Sequence, residues 1–128
     1  MVACAAIAAA LVASAVAGAA YKTGTYQGTT SQGEEISFKA KKLGVKKFAF
    51  NVITDCDDGS RFGVRNSGGQ APTNKRGKFE ALFTGPVGTT VLKGKLKRKR
   101  GSGSFESEAT APSGAFCTAS GEWSAKKQ

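Results

Sequence analysis

Histidine is absent from the 128 residues, and acidic groups are scarce, with 9 Asp and Glu against 19 Lys and Arg. Without histidine the chain lacks the commonest general acid/base and the commonest metal ligand. Ser-His-Asp triads, Cys-His pairs and His-based zinc sites are therefore excluded, and no Gly-x-Ser-x-Gly segment is present either. Proline occurs 3 times and cysteine 3 times, whereas the 17 glycines amount to nearly twice an ordinary share of about 7%. Glycine without a collagen period, beside 40% hydrophobic residues, predicts a packed chain with many turns. The length suits one domain, and the net charge of +10 directs attention to anionic partners.

Charge is also unevenly distributed. Residues 2–20 carry no charged side chain and are mostly alanine, with Ile7, Leu11, Val12 and Val16 among them. Ala17, Gly18, Ala19 and Ala20 then supply the small side chains that a signal peptidase requires, so 1–20 reads as a hydrophobic signal helix cleaved before Tyr21. An uncleaved membrane anchor is the alternative, although an alanine-rich segment is only weakly apolar. Cys4 precedes most of the hydrophobic stretch, which argues against lipid modification there.

Residues 21–128, the single expected domain, retain only Cys56 and Cys117. An even pair in an exported chain reads as one disulfide. Closing the loop between them is worth about 4 kcal/mol in the chain-entropy account.

The domain shows a period of two. Ile36, Phe38 and Ala40 alternate with Ser37 and Lys39, and Phe48, Phe50, Val52, Thr54 and Cys56 share one parity. Thr90, Leu92, Gly94 and Leu96 alternate with Lys93, Lys95 and Lys97, while Cys117, Ala119, Gly121, Trp123 and Ala125 form a last inward row. Eight strands are predicted near 23–29, 34–40, 45–55, 60–65, 76–84, 88–98, 102–109 and 115–125, with 66–74 as a long loop rich in Ser, Gly, Pro and Asn. The expected fold class is all-β, either an antiparallel β-sandwich or a small up-and-down β-barrel. A bridge from Cys56 to Cys117 would join two core-facing rows without a register conflict.

The start Gly24-Thr25-Tyr26-Gln27-Gly28-Thr29-Thr30-Ser31-Gln32-Gly33, the Ile36-Ser37-Phe38 strand and the ending from Cys117 through Gly121 and Trp123 to Ala125 resemble a group of small exported β-proteins of soil actinobacteria. That resemblance implies export, the cysteine pair and an all-β fold. It implies no activity and no site residues, and the basic run Lys95–Arg100 lies outside its pattern.

Two segments hold most of the positive charge: Lys39, Lys41, Lys42, Lys46 and Lys47, then Lys93, Lys95, Lys97, Arg98, Lys99 and Arg100. On a strand, Lys93, Lys95 and Lys97 project from one face about 6.8 Å apart, with Lys99 continuing the row if pairing persists. The candidate polyanion-binding set is Lys39, Lys41, Lys47, Lys93, Lys95, Lys97, Arg98, Lys99 and Arg100, facing anionic wall polymers or lipid headgroups. The plain alternative is a solvated face that blunts an edge strand. Specific nucleic-acid binding is not expected, because the phenylalanines sit at core parity and cannot act as stacking platforms.

Asp55, Asp57 and Asp58 gather three carboxylates, but their spacing fits an Asp-Gly turn better than a calcium loop. No pair among Glu34, Glu35, Glu80, Glu106, Glu108 and Glu122 is marked as flanking a cleft, so neither a catalytic residue nor a metal or cofactor is expected. Tyr26 and Trp123 read as core, with a ligand pocket as the alternative. The sequence thus predicts a monomeric, exported binding module. A small-ligand barrel carrier and a purely structural envelope protein stand as alternatives.

Overall fold

The computed structural model describes residues 21–128, so the signal helix expected over 1–20 and the expected cleavage before Tyr21 lie outside the described residues. Eight strands follow one another: β1 (Gly24–Thr30), β2 (Glu35–Lys41), β3 (Gly44–Cys56), β4 (Arg61–Pro72), β5 (Lys78–Gly85), β6 (Gly88–Lys97), β7 (Arg100–Thr110) and β8 (Phe116–Lys127). Each pairs antiparallel with its neighbour in the chain except β4 with β5, and β1 pairs with β8. The result is an up-and-down barrel with one seam, between β4 and β5.

Alternation sends every second turn to the same end. The turns after β1, β3, β5 and β7 share one end with the disulfide, while the turns after β2, β4 and β6 share the other with Tyr21 and Gln128. At the disulfide end β3 and β8 outrun the β1–β2 hairpin and pair directly through Asp55↔Thr118 and Cys56↔Cys117. The tip of that hairpin stitches into both strands with side chains that imitate a ladder. Ser31 N donates to Glu122 O at 2.7 Å and Glu122 N donates to Ser31 Oγ at 3.0 Å. On the other side, Gln32 Nε2 donates to Ile53 O at 2.7 Å and Ile53 N donates to Gln32 Oε1 at 2.9 Å. The Ser-Gln-Gly turn therefore fills the gap that the short hairpin would leave in the wall.

The inward row of each strand is the apolar parity read from the sequence. Tyr26 stacks on Phe38 with centroids 5.3 Å apart, Phe38 meets Phe48 and Trp123 at 5.5 Å each, and Phe79 lies 6.1 Å from both Phe38 and Trp123. These five rings are buried and occupy the barrel axis, and Trp123 Nε1 donates to Lys93 O at 2.9 Å. Aromatic contacts of this kind add about 0.5–1.5 kcal/mol per pair beyond area burial. Cys56 and Cys117 form the expected disulfide. It belongs to a second, smaller apolar cluster with Val64, Ala109 and Ala111. Trp123 shares a strand face with Cys117 but packs in the main cluster.

Three features depart from the pattern expected. The stretch 66–74 is not a loop: β4 continues to Pro72, because β3 opposite it remains an unbroken template from Gly44↔Pro72 to Asp55↔Arg61. Gly69 has a packing role, since a Cβ there (φ +74) would lie 2.8 Å from Phe83, the ring that covers the seam by edge contacts to Phe48 and Phe50. Glycine richness is likewise only partly a matter of turns. A Cβ on Gly94, in mid-strand, would sit 2.3 Å from Trp123 Cζ2, so the small residue opens the slot that the indole fills. Finally, a bulge at Lys47 (φ 55) between the pairs Ser37↔Ala49 and Lys39↔Lys46 turns both Lys46 and Lys47 outward between buried Val45 and Phe48.

Replacing both cysteines by serine is expected to lower the unfolding free energy by about 4 kcal/mol in urea titrations, an effect that reductant reproduces on the unaltered chain. Gly94→Ala is expected to cost roughly 1–3 kcal/mol through overpacking and to perturb Trp123 fluorescence. A wild-type midpoint in either variant would contradict this packing.

Candidate polyanion-binding surface

Cut along the register row that runs from Lys78 through Lys95, Ser102, Ser124 and Thr29 to Glu35, the half of the barrel away from the disulfide comprises 21–29, 35–51, 65–78, 95–102 and 124–128, which contain 17 of the 19 Lys and Arg residues and one of the 9 acidic ones, Glu35. The two cations outside this half, Arg61 and Lys93, are both ion-paired, and Arg65 on its boundary is hydrogen-bonded. Arg61 pairs with Asp55 at 3.3 Å, Lys93 pairs with Glu80 at 3.6 Å, and Arg65 Nη1 donates to Asn51 Oδ1 at 3.3 Å. Among the described residues no other ion pair occurs, so none of the cations in the basic half is ion-paired.

Strand register then brings like charges face to face. Lys97 lies directly opposite Arg100, Arg100 opposite Lys126, Lys78 opposite Lys95, and Lys39 opposite Lys46. Beside the row Lys97–Arg100–Lys126 runs a second row, Lys95–Ser102–Ser124–Thr29, whose short hydroxyl side chains form the floor of an open groove of ≈ 550 Å³. The groove offers hydroxyl donors along its base and cations along its rim, a combination suited to phosphate, sulfate or carboxylate oxygens. Directly opposed like charges in a sheet each cost about 0.2–1 kcal/mol.

The β6–β7 turn concentrates this arrangement. Pairing does not persist to Lys99 as the lysine row required: β6 ends at Lys97 and the chain reverses over Arg98 and Lys99. Arg98 has φ 58, at the first position of a two-residue hairpin turn, where glycine is preferred. Three hydrogen bonds hold it there. Arg98 O accepts from Lys22 N at 2.7 Å and from Tyr26 Oη at 3.2 Å, and Lys99 O accepts from Lys127 N at 2.8 Å. Burial, together with the nearby Tyr21 phenol, pushes the Tyr26 phenol above its ordinary value, so it remains a neutral donor. Tyr21 completes the end, its hydroxyl donating to Lys41 O at 2.6 Å and meeting Thr73 Oγ1 at 2.7 Å.

Of the residues singled out from sequence, Lys41, Lys95, Lys97, Arg98, Lys99 and Arg100 are exposed in the basic half, with Lys47 exposed in its bulge and Lys39 partly exposed. Lys93 points outward as expected but is paired with Glu80 at the edge of the region. Sequence reasoning missed Lys22, Lys75, Arg76, Lys78, Lys126 and Lys127, which join the same half only because the strands alternate in direction. Counting turns from the N-terminus would have found them.

The acidic turn is structural. Asp58 Oδ1 accepts from Ser60 N at 3.0 Å and from Ser60 Oγ at 2.5 Å, and these bonds hold its carboxyl below the usual carboxylate range. Among the described residues no group of His, Cys, Asp and Glu has the arrangement of a metal site. Comparison with known proteins adds nothing to this geometry: no family model, curated protein or solved structure matches the chain.

Screening should relieve the opposed cations. Raising NaCl from about 10 mM to about 0.5 M is expected to increase unfolding free energy by roughly 1 kcal/mol or more, whereas a protein with balanced surface pairs would gain nothing. Arg98→Gly is expected to stabilise the fold by about 1 kcal/mol by relieving the left-handed arginine, measured as a shift of the urea midpoint.

Proposed function

We propose that the chain is an exported binding module that engages anionic polymers or surfaces through the basic half of its barrel. The observation that carries this reading is the segregation of charge: 17 of the 19 cations share one half of the molecule with a single acidic residue, Glu35. Such a field attracts polyanions at long range and is weakened by salt. Opposed cations also work against the fold, a cost that an anionic partner would remove by neutralising them. Export is supported by the disulfide, which fits an oxidising compartment, and by the uncharged segment 2–20. The carrier alternative loses its main support, because Tyr26 and Trp123, the side chains available to line an interior pocket, pack against other rings on the barrel axis.

The segment 21–128 contains both apolar clusters and the disulfide, so it carries its own core and is suited to a binding assay. It should be retained on immobilised dextran sulfate at about 50 mM NaCl and elute steadily earlier as salt rises. Reversing Lys97, Arg100 and Lys126 to glutamate should abolish most of that retention, while reversing Arg61 should leave it intact. Equal retention of both variants would overturn the assignment. An unaltered chain that never binds would instead favour a structural envelope role.

A further inference from the structure

We infer that the basic end of the barrel is a docking face for an anionic lipid bilayer, with Leu43 entering the headgroup layer at its tip. This rests on the polyanion reading and narrows it to one partner. The shape of the charge distribution is the first argument. Going round the barrel in the order of its strands, the rim carries Lys41 at the end of β2 and Lys42 in the turn that follows, then Lys22 and Lys127 near the two ends of the described chain. Arg98 and Lys99 follow in the β6–β7 turn, and Lys75 and Arg76 lie between β4 and β5. Three quarters of the rim thus present two exposed cations each, and the fourth presents Lys22 beside a partly buried Lys127 whose Nζ donates to Gln128 O at 3.2 Å. A plane of headgroups can meet all four stations at once, whereas a linear polymer lying in the groove beside Lys97, Arg100 and Lys126 would leave most of the ring unused. Each cation near an anionic membrane surface contributes about fivefold to binding.

Leu43 supplies the second argument. It is 80% exposed, the most exposed large hydrophobic side chain among the described residues, and the others (Leu82, Val87 and Phe116) do not lie on this rim. A lone exposed leucine is ordinary on a protein surface. This one, however, sits between Lys42 and Gly44 at the tip of a hairpin whose backbone is held in place. Tyr21 Oη donates to Lys41 O at 2.6 Å and to Lys42 O at 3.3 Å, while Thr73 N donates to Leu43 O at 3.1 Å. A fixed apolar tip inside a cationic ring matches the interfacial pattern in which buried apolar area and attraction to anionic lipid act together. The third argument is the path of the chain. The uncharged residues 2–20 join the domain at Tyr21, on this rim, so until it is cleaved a hydrophobic signal in the bilayer brings the basic end of the domain toward the headgroups.

The test compares residues 21–128 on phosphatidylcholine vesicles with and without phosphatidylglycerol, and in parallel on dextran sulfate. The unaltered protein should bind only the anionic vesicles. Leu43→Ser should weaken vesicle binding about tenfold and leave dextran sulfate retention unchanged. Leu43→Trp should show a blue-shifted emission on anionic vesicles that bromine-labelled acyl chains quench, a signal that the buried Trp123 does not give. Charge reversal at any one station, Lys41 with Lys42, Lys75 with Arg76, or Arg98 with Lys99, should weaken vesicle binding at least about fivefold. The inference is overturned if Leu43→Ser binds vesicles as the unaltered chain does and Leu43→Trp stays in water. It is also overturned if only Lys97, Arg100 and Lys126 matter, which identifies a linear polymer in the groove and leaves the polyanion reading standing. Loss of binding to both vesicles and dextran sulfate in the unaltered protein removes the polyanion reading as well.

Discussion

Antiparallel closure of a single meander is the constraint on which the rest of the molecule depends. Because β1 pairs with β8 and every other strand pairing but one is between chain neighbours, strand direction alternates around the wall and the turns divide into two sets. Charge that looks scattered along the sequence is thereby sorted by turn number. Lys42, Lys75 and Arg98, far apart in the chain, lie on one rim, and Glu34, Asp57 and Asp58 lie at the other end. Nothing about any one segment encodes this separation; it follows from where each charge falls relative to the strand boundaries.

Closure also distributes stability unevenly. At the disulfide end the wall is secured by direct β3–β8 pairing, the Cys56–Cys117 bond and the side-chain ladders of Ser31 and Gln32. At the other end, opposed cations push the strands apart, and what holds them is the aromatic column together with the backbone acceptors gathered around Tyr21 and Tyr26. The molecule tolerates the repulsion because its core is filled: Trp123 fits the slot left by Gly94, and Phe83 covers the seam over Gly69. Stability held in the interior and at one end permits a costly surface at the other.

Much of this was legible beforehand, for identifiable reasons. Period-two patterning exposes the inward faces directly, so Phe38, Phe50, Leu92 and Trp123 fall in the core as their parity requires, and the even cysteine pair bridges two such rows. Where glycine serves packing rather than turning, pattern fails. Ser67-Gly68-Gly69 carries the composition of a loop yet forms strand, because the ladder from β3 and the approach of Phe83 decide its conformation. The β6 lysines were readable as an outward row, but their joining with Lys22, Lys126 and Lys127 needed the register across β7, β8 and β1. Local signals reveal which way a side chain points; only topology reveals which others share its end.

The sorting of cations to one rim is therefore the central claim, and residue-resolved NMR tests it most directly. With a short anionic oligosaccharide titrated into the domain, amide shifts should move in the β2–β3, β4–β5 and β6–β7 turns and around Lys126, while Ser31–Glu34 and Asp57–Ser60 remain still. Shifts scattered evenly over both ends, or centred on the disulfide end, would contradict the account.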